Sequence, residues 1–231
     1  MVNKKARVRK TRNVSDSYFA FVVTLFVAFL LISNIASTKI LSLWIFTFDG
    51  GTLLFPLTYI FGDVLTEVYG FKKAKKAIWI GFFCALLMTI VLAIVQLLPP
   101  ASGWENQAAF ESILGMTPRI VAASLIAYLA GSFSNSIVLA KMKLITKGKM
   151  LWSRTIGSTI IGEGFDTALF CTIAFFGVLP TELLIAVIVS NYFFKVGVEA
   201  LFTPITYKII NFLKKKEGIE FYDNKTDFNP L

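Results

Sequence analysis

The chain has 231 residues, of which 56% are hydrophobic and 16% are charged, and its mean hydropathy is +0.71. A composition this apolar excludes an ordinary soluble domain and indicates a polytopic membrane protein. The net charge of +9 would suggest a nucleic-acid partner in a soluble protein, but here the bases lie beside apolar segments, so no nucleic-acid partner is predicted.

Six apolar segments are long enough to cross a bilayer, since a spanning helix needs about 20 mostly apolar residues. In chain order the predicted spans cover residues 18–38, 53–70, 77–98, 119–140, 155–178 and 183–210. The second is the least hydrophobic, because Asp63, Thr66 and Glu67 interrupt it. The apolar stretch Leu41–Phe48 is too short to cross and predicts a re-entrant or interfacial piece. The predicted fold class is therefore all-α, a polytopic membrane protein with six transmembrane helices.

The basic residues concentrate in alternate connections between the predicted spans. They lie before the first span and after the second, fourth and sixth, as Lys4, Lys5, Arg7, Arg9, Lys10, Arg12, Lys72, Lys73, Lys75, Lys76, Lys141, Lys143, Lys147, Lys149, Arg154, Lys214, Lys215 and Lys216. The other loops hold mainly acids and few bases, namely Asp49, Glu105, Glu111, Glu182, Lys39 and Arg119. Positive residues flank cytoplasmic helix ends. We therefore predict a membrane protein with cytoplasmic N- and C-termini, divided into a basic N-terminus (1–17), a six-helix transmembrane domain (18–210) and a cytoplasmic tail (211–231).

Four carboxylates interrupt the predicted spans, Asp63 and Glu67 in the second and Glu163 and Asp166 in the fifth. A carboxylate near the bilayer centre costs roughly 2.5–3.5 kcal/mol on insertion scales, so such a group is expected to be paired or to bind something. The spacings i, i+4 and i, i+3 place each pair on one helix face, where like charges favour a bound proton or cation. We predict Asp63 and Glu163 as the leading substrate acceptors, with Glu67 and Asp166 as supporting or proton-carrying groups. Hydration of Glu67 near the interface, or hydrogen bonding of the second pair across closely packed helices, is the structural alternative.

The sixth predicted span carries a polar stripe of Asn191, Lys195 and Glu199 at successive i, i+4 steps. Lys195 is a base deep within a span, and its partner is either the acids of the other spans or Glu199 on its own helix. Asn34 and Asn135, near the ends of the first and fourth spans, either join helices or contact a ligand. The predicted substrate-binding set is Asp63, Glu67, Glu163, Asp166, Asn34, Asn135, Asn191 and Lys195.

A weak internal repeat relates the two halves of the chain. Ser33-Asn34 and Gly62-Asp63 in the first two spans recur as Ser134-Asn135 and Gly162-Glu163 in the fourth and fifth. Three spans reverse the direction of the chain, so such a repeat would be inverted, a plan in which the substrate site lies near the midplane. Matches of two dipeptides also arise by chance. The sequence therefore leaves open whether the six helices form an inverted 3+3 repeat.

Several catalytic chemistries are absent from the sequence. The chain has no histidine, so it has no histidine-based zinc site and no Ser-His pair. It has no GxxxxGK[ST] phosphate loop, and its two cysteines are too few for a cysteine-rich metal site. We therefore predict a protein that is not an enzyme, with no catalytic residues, no metal and no cofactor.

The segment Asp49–Gly70, DGGTLLFPLTYIFGDVLTEVYG, closely resembles the hallmark segment of the queuosine precursor transporter family, also called the vitamin uptake transporter family. The resemblance continues over nearly the whole chain, at Ser33-Asn34, Gly162 to Asp166, Asn191-Tyr192, Lys195, Glu199 and Thr226 to Pro230. It implies an inner-membrane importer of a precursor of queuosine, a modified nucleoside of tRNA. The candidate substrates are 7-cyano-7-deazaguanine, 7-aminomethyl-7-deazaguanine and queuine, carried by alternating access.

The implied substrate suits the polar residues of the predicted spans. A guanine-like edge presents N1–H and an exocyclic amine, two donors that one buried carboxylate accepts together, while amides and aromatic rings complete the site. The expected partners are thus a small deazapurine and membrane lipid, with the oligomeric state left open. Two other functions stay compatible: a substrate-binding membrane subunit of an ATP-driven vitamin transporter, docked through the small residues of 157–164, and, less favoured, an intramembrane enzyme with an acid dyad.

Overall fold

The computed structural model describes residues 17–43, 46–115 and 118–230, and over these residues the fold is predominantly helical. The helices are α1 (Ser17–Ala36), α2 (Phe55–Tyr69), α3 (Phe71–Leu97), α4 (Gln107–Leu114), α5 (Pro118–Ile145), α6 (Leu151–Phe175) and α7 (Thr181–Glu217). The six longest coincide with the six predicted apolar segments, so the helical class and the helix positions are confirmed. Residues 1–16 of the predicted basic N-terminus lie outside the described residues.

Two short elements interrupt the helical pattern. The predicted re-entrant piece is a β-hairpin, in which β1 (Ile40–Leu43) pairs antiparallel with β2 (Phe46–Asp49). A 3-10 helix, Gly50–Leu53, follows it and leads into α2. The hairpin and the 3-10 helix lie against the end of α1, where the Gly50 amide donates to Lys39 O at 2.8 Å. Another short element is the helix α4, in a connection that the sequence predicts as a loop.

Four of the helical segments are long and apolar enough to cross a membrane. They are α1, α3, α5 with the preceding α4, and α7. Helix α2 has only 15 residues, and the buried face of α6 is made largely of polar and small side chains. The structure therefore supports a multi-pass membrane protein with four candidate spans, and the crossing of the bilayer by α2 and α6 stays a prediction.

Helices α2 and α6 carry the acids of the predicted spans, and both turn polar groups inward. On α6 the buried residues recur at helical spacing, as Arg154, Thr155, Ser158, Thr159, Gly162, Glu163, Thr167, Cys171 and Ala174. Its opposite face exposes Ile160, Ile161 and Phe165. A helix with this pattern buries its polar face against other helices and presents its apolar face outward.

Helices α5 and α6 form the most extensive helix pair, and two glycines allow their close approach. A Cβ atom at Gly162 would lie 2.7 Å from Asn135 Cβ and 3.0 Å from Gly131 O. A Cβ atom at Gly131 would lie 2.8 Å from Asp166 Cβ. Small residues are the usual means of bringing membrane helices together. This contact places Asn135 of α5 beside Gly162 of α6, and Asp166 of α6 beside Gly131 of α5.

Several of the described basic residues lie within helix ends rather than in the predicted loops, whereas Lys147 and Lys149 do lie in the connection between α5 and α6. Helix α3 begins at Phe71, directly after Gly70, which puts Lys72, Lys73, Lys75 and Lys76 on its first two turns. Arg154 lies inside α6, and α7 continues to Glu217, beyond the predicted end of the span. The starts of α3 and α6 and the ends of α5 and α7 all meet at one end of the bundle, which we call the basic end.

The residues after α7 fold back over the basic end. The Asp223 carboxylate accepts hydrogen bonds from the Phe71 amide at 3.1 and 3.2 Å, and so caps the start of α3. The Trp79 indole donates to Pro230 O at 2.9 Å, and Lys75 Nζ donates to Asn229 O at 2.8 Å. The tail thus binds the first turns of α3.

Replacing Asp223 with alanine is expected to lower the free energy of unfolding by about 1 kcal/mol, because a buried helix N-terminus loses its carboxylate cap. Thermal unfolding of the purified protein in detergent measures the loss. Asp227→Ala is the matched control, since Asp227 is exposed and bonds within the tail, to the Asn229 amide. Equal losses in both variants would contradict the capping role.

Candidate functional site

A cavity of about 840 Å³ lies among α1, α2, α5, α6 and α7. Its charged and amide side chains are Asn34, Asn135, Asn191, Asp166 and Lys195, and aromatic side chains stand beside them, among them Phe26, Tyr59, Tyr128, Phe170 and Phe175. This volume lies within the range of small-molecule sites, which combine mostly apolar walls with a few polar groups. The cavity therefore suits a small molecule with both apolar and polar surface.

The cavity extends from the middle of the bundle to the end opposite the basic end. Its inner part includes Asn135 and Asp166, and its lining reaches Thr38 after α1, Ser112 in α4 and Gly115, all of which are exposed. None of the described bases at the basic end contributes to the lining. The two ends of the bundle are therefore unlike, one open to the cavity and the other filled by charged side chains.

An ion-pair cluster of α6 and α7 forms part of the cavity wall. Lys195 Nζ lies 2.9 Å from Asp166 Oδ2 and 3.5 Å from Glu163 Oε2. Of the two alternatives that the sequence leaves open for Lys195, the structure shows the pairing with acids of another helix. The Asp166 side chain is 19% exposed and lines the cavity, whereas Glu163 is fully buried behind it, near Tyr59. Of these two carboxylates, Asp166 is therefore the one exposed at the cavity wall.

Asp63 lies behind the wall of the cavity and is joined to it through Asn135. The Asn135 Nδ2 atom donates to Asp63 Oδ1 at 2.8 Å, and both side chains are buried. Asn135 lines the cavity, and Asp63 does not. Asn34 and Asn191 also line it. All three predicted amides thus line the cavity, whereas Asp63 is separated from it by Asn135.

Glu67 lies at the basic end, away from the cavity lining, in a cluster that sequence reasoning did not find. Its Oε1 atom lies 2.7 Å from Lys214 Nζ, 2.9 Å from Arg154 Nη2 and 3.1 Å from Lys143 Nζ. These bases come from α7, α6 and α5, so the cluster ties three helices to α2. We call Glu67, Lys143, Arg154 and Lys214 the basic-end cluster.

Glu199 is a buried acid that the predicted binding set omits, although it belongs to the polar stripe of the sixth span. It is 2% exposed and interacts electrostatically with Asp63 and Glu163. Within residues 17–43, 46–115 and 118–230, neither of its carboxylate oxygens accepts a hydrogen bond. The described acids and cysteines also form no group of three or more arranged to hold a metal ion.

Comparison with known proteins identifies the family. A profile described as putative vitamin uptake transporter matches residues 49–209. The chain belongs to this family. It is a family of transporters rather than enzymes, as the resemblance implied. The matched range contains Asp63, Glu67, Glu163, Asp166, Lys195 and Glu199, whereas Asn34 and Lys214 lie outside it.

Three curated proteins are similar over much of the chain. The probable queuosine precursor transporter of Bacillus subtilis (strain 168) is 32% identical over 176 residues, 76% of this chain and 77% of that protein. That of Haemophilus influenzae is 29% identical over 126 residues, 54% and 51% of the two chains. The queuosine precursor transporter of Escherichia coli (strain K12) is 24% identical over 185 residues, 78% and 79% of the two chains. No solved structure matches the chain.

Proposed function

We propose that the protein imports a queuosine precursor across the inner membrane. The observation that carries the proposal is the Asp166–Lys195 pair in the wall of a cavity of about 840 Å³, in a chain whose curated relatives are named queuosine precursor transporters. The substrate is 7-cyano-7-deazaguanine, its 7-aminomethyl derivative or queuine.

The pair suits one edge of a guanine-like ring, on which the exocyclic amine, the N1–H and the carbonyl oxygen lie side by side. Each carboxylate oxygen has two acceptor sites, so Asp166 accepts from Lys195 and still accepts from the N1–H and the exocyclic amine of the ring. Lys195 Nζ has three donor hydrogens, and one of them serves the ring carbonyl oxygen. The amides of Asn34, Asn135 and Asn191 serve the other ring positions, and the nearby aromatic rings stack on the bicycle. Asp63 and Glu163 are the leading acceptors in the sequence prediction. In this proposal they do not contact the substrate but lie behind the residues that do.

The proposed topology has six spans with both termini in the cytoplasm. The basic end carries the lysines and arginines that flank cytoplasmic helix ends, so the cavity extends toward the outer side. Helices α1–α3 and α5–α7 form the two halves of an inverted 3+3 repeat, with α2 and α6 as the acid-bearing members. Import proceeds by alternating access, in which the basic end opens after the outer end has closed.

Replacing Asp166 with asparagine is expected to weaken deazapurine binding by about ten- to a hundredfold, because a charged hydrogen bond contributes about 1.5–3 kcal/mol. Calorimetric titration of the purified protein with each of the three candidate substrates measures the change. Glu111→Gln is the matched control, since Glu111 is exposed on α4 and does not line the cavity. Unchanged affinity in Asp166→Asn, or no binding of any deazapurine by the unmodified protein, would refute the site.

Uptake by the purified protein in proteoliposomes separates this proposal from its rivals. Autonomous uptake excludes a subunit that depends on a docked ATP-driven module. Recovery of a chemically unchanged substrate from the vesicles excludes an enzyme with an acid dyad. Failure of uptake without added nucleotide-binding subunits would favour the docking subunit instead.

A further inference from the structure

Three buried carboxylates from three helices lie behind the wall of the cavity. Asp63 of α2 and Glu163 of α6 are fully buried, and Glu199 of α7 is 2% exposed. Glu199 interacts electrostatically with both of the others. None of the three lines the cavity. They form a second layer beneath the residues proposed to contact the substrate.

At Asp63 and Glu199, buried acceptor atoms outnumber the hydrogen-bond donors that the described residues supply to them. Asn135 gives its amide hydrogen to Asp63 Oδ1, so its own Oδ1 atom lies at the same site. That oxygen, Asp63 Oδ2 and both carboxylate oxygens of Glu199 accept no hydrogen bond from the described residues. A buried polar atom left unsatisfied costs about 1–3 kcal/mol, and more when it is charged. A proton on a carboxylate turns one acceptor into a donor and so relieves this shortage.

The charges that face this site are also unbalanced. The titratable groups that interact with Glu199 or its acidic neighbours come from each helix packed against it, namely Asp63, Tyr59 and Glu67 of α2, Glu163 and Asp166 of α6, and Lys195 of α7. Lys195 is within ion-pair distance of Asp166 and Glu163. Glu67 has its own three bases in the basic-end cluster. Asp63 and Glu199 thus lie buried together without an ion pair to a described base, a costly arrangement if both are ionised.

We propose that Asp63 and Glu199 form a proton-binding pair behind the cavity and that proton movement through this pair drives substrate import. The second part rests on the proposed function. The ligand is a proton rather than a metal ion, because the described acids do not converge as a metal-binding group. In each cycle a carboxylate gains a proton from the outer side, and its O–H bond breaks to release that proton to the cytoplasm. Asn135, which touches both Asp63 and the cavity, connects the pair to the substrate.

Infrared difference spectroscopy tests the proton site without any substrate. The C=O stretch of a protonated carboxylic acid, which shifts in D₂O, is expected in the unmodified protein, and part of it is expected to disappear in Glu199→Gln. Glu182→Gln is the matched control, because Glu182 is exposed in the first turn of the same helix. Asp63→Asn provides a second variant if Glu199→Gln does not fold. An unchanged protonated-carboxyl band in Glu199→Gln and Asp63→Asn would overturn the proposal.

Transport in proteoliposomes tests the coupling. A gradient of one pH unit is expected to drive about tenfold accumulation of a neutral substrate for each proton carried, since tenfold corresponds to 1.4 kcal/mol. Glu199→Gln is expected to lose accumulation, reaching an inside-to-outside ratio of about one, while retaining exchange of labelled for unlabelled substrate. Glu182→Gln is expected to behave as the unmodified protein. Accumulation by Glu199→Gln equal to that of the unmodified protein would refute coupling through this pair, whereas absence of any deazapurine binding would refute the proposed function and leave the infrared result to decide the proton site.

Discussion

Replacing Glu67 with glutamine is expected to lower the free energy of unfolding by about 3–5 kcal/mol, the usual effect of removing one partner of a buried charge network. Arg154 is fully buried and Lys143 is 2% exposed, and both lie within ion-pair distance of Glu67 Oε1. Without the carboxylate, two buried bases and Lys214 repel one another. Thermal unfolding of the purified variant in detergent measures the loss.

The matched control is Lys214→Gln, which removes a positive charge from the more exposed side of the same cluster. The Lys214 side chain is 19% exposed, and Lys214→Gln leaves Glu67 with Arg154 and Lys143 as partners. Since three bases surround one acid, removing one of them also reduces repulsion. We expect a change of less than about 1 kcal/mol, as for other partly exposed ion pairs. Equal losses in Glu67→Gln and Lys214→Gln would show that the cluster does not depend on its acid.

The basic-end cluster also bears on the transport cycle. Its members come from α2, α5, α6 and α7, so these helices separate at the basic end only if ion pairs to one buried carboxylate break. Lys143 Nζ also donates to Glu67 O at 2.6 Å, and Arg154 donates to Lys149 O. Opening therefore requires water to replace both charged and backbone partners. In the proposed cycle this step is the release of substrate to the cytoplasm.

Helix positions were predictable because they depend on local composition. An apolar run of about 20 residues is long enough to span a bilayer whatever surrounds it, and the six longest helices follow such runs. The hairpin and α4 were not predictable in this way, because each is shorter than a hydropathy window. The lysines at the start of α3 were assigned to a loop for a related reason. Lysines lower the hydropathy of the first turns of α3, although those turns continue the helix and are covered by the tail.

The layout of the site was only partly predictable, because the rotation of each helix is fixed by its neighbours. Glu163 and Asp166 differ by about 60° around α6, since each residue turns the helix by about 100°. That angle suffices to put Asp166 in the cavity wall and Glu163 behind it. The bases around Glu67 come from three other helices, and no spacing along the sequence links them. Lys195 was predictable as a partner of the acids, because it is a base placed deep within a span.

Replacing Gly162 with alanine is expected to lower the free energy of unfolding by about 1–3 kcal/mol, as overpacking of a close contact does. The added methyl group would lie 2.7 Å from Asn135 Cβ and 3.0 Å from Gly131 O, so α5 and α6 must separate. Separation also moves Asn135 away from Asp63 and the cavity wall. Thermal unfolding measures the first effect, and deazapurine titration is expected to show weaker binding from the second.

Gly164→Ala is the matched control, because Gly164 lies two residues further along the same helix. A Cβ atom there would meet only Tyr192 Cε2, at 3.8 Å, an ordinary contact. Both substitutions gain the same helix propensity, about 1 kcal/mol in favour of alanine, so propensity cancels in the comparison. The difference between the two variants therefore isolates the packing of α5 against α6. Equal stability and equal deazapurine affinity would mean that α5 and α6 do not depend on this contact, and that the cavity wall is held in place by the ion pairs and Asn135 instead.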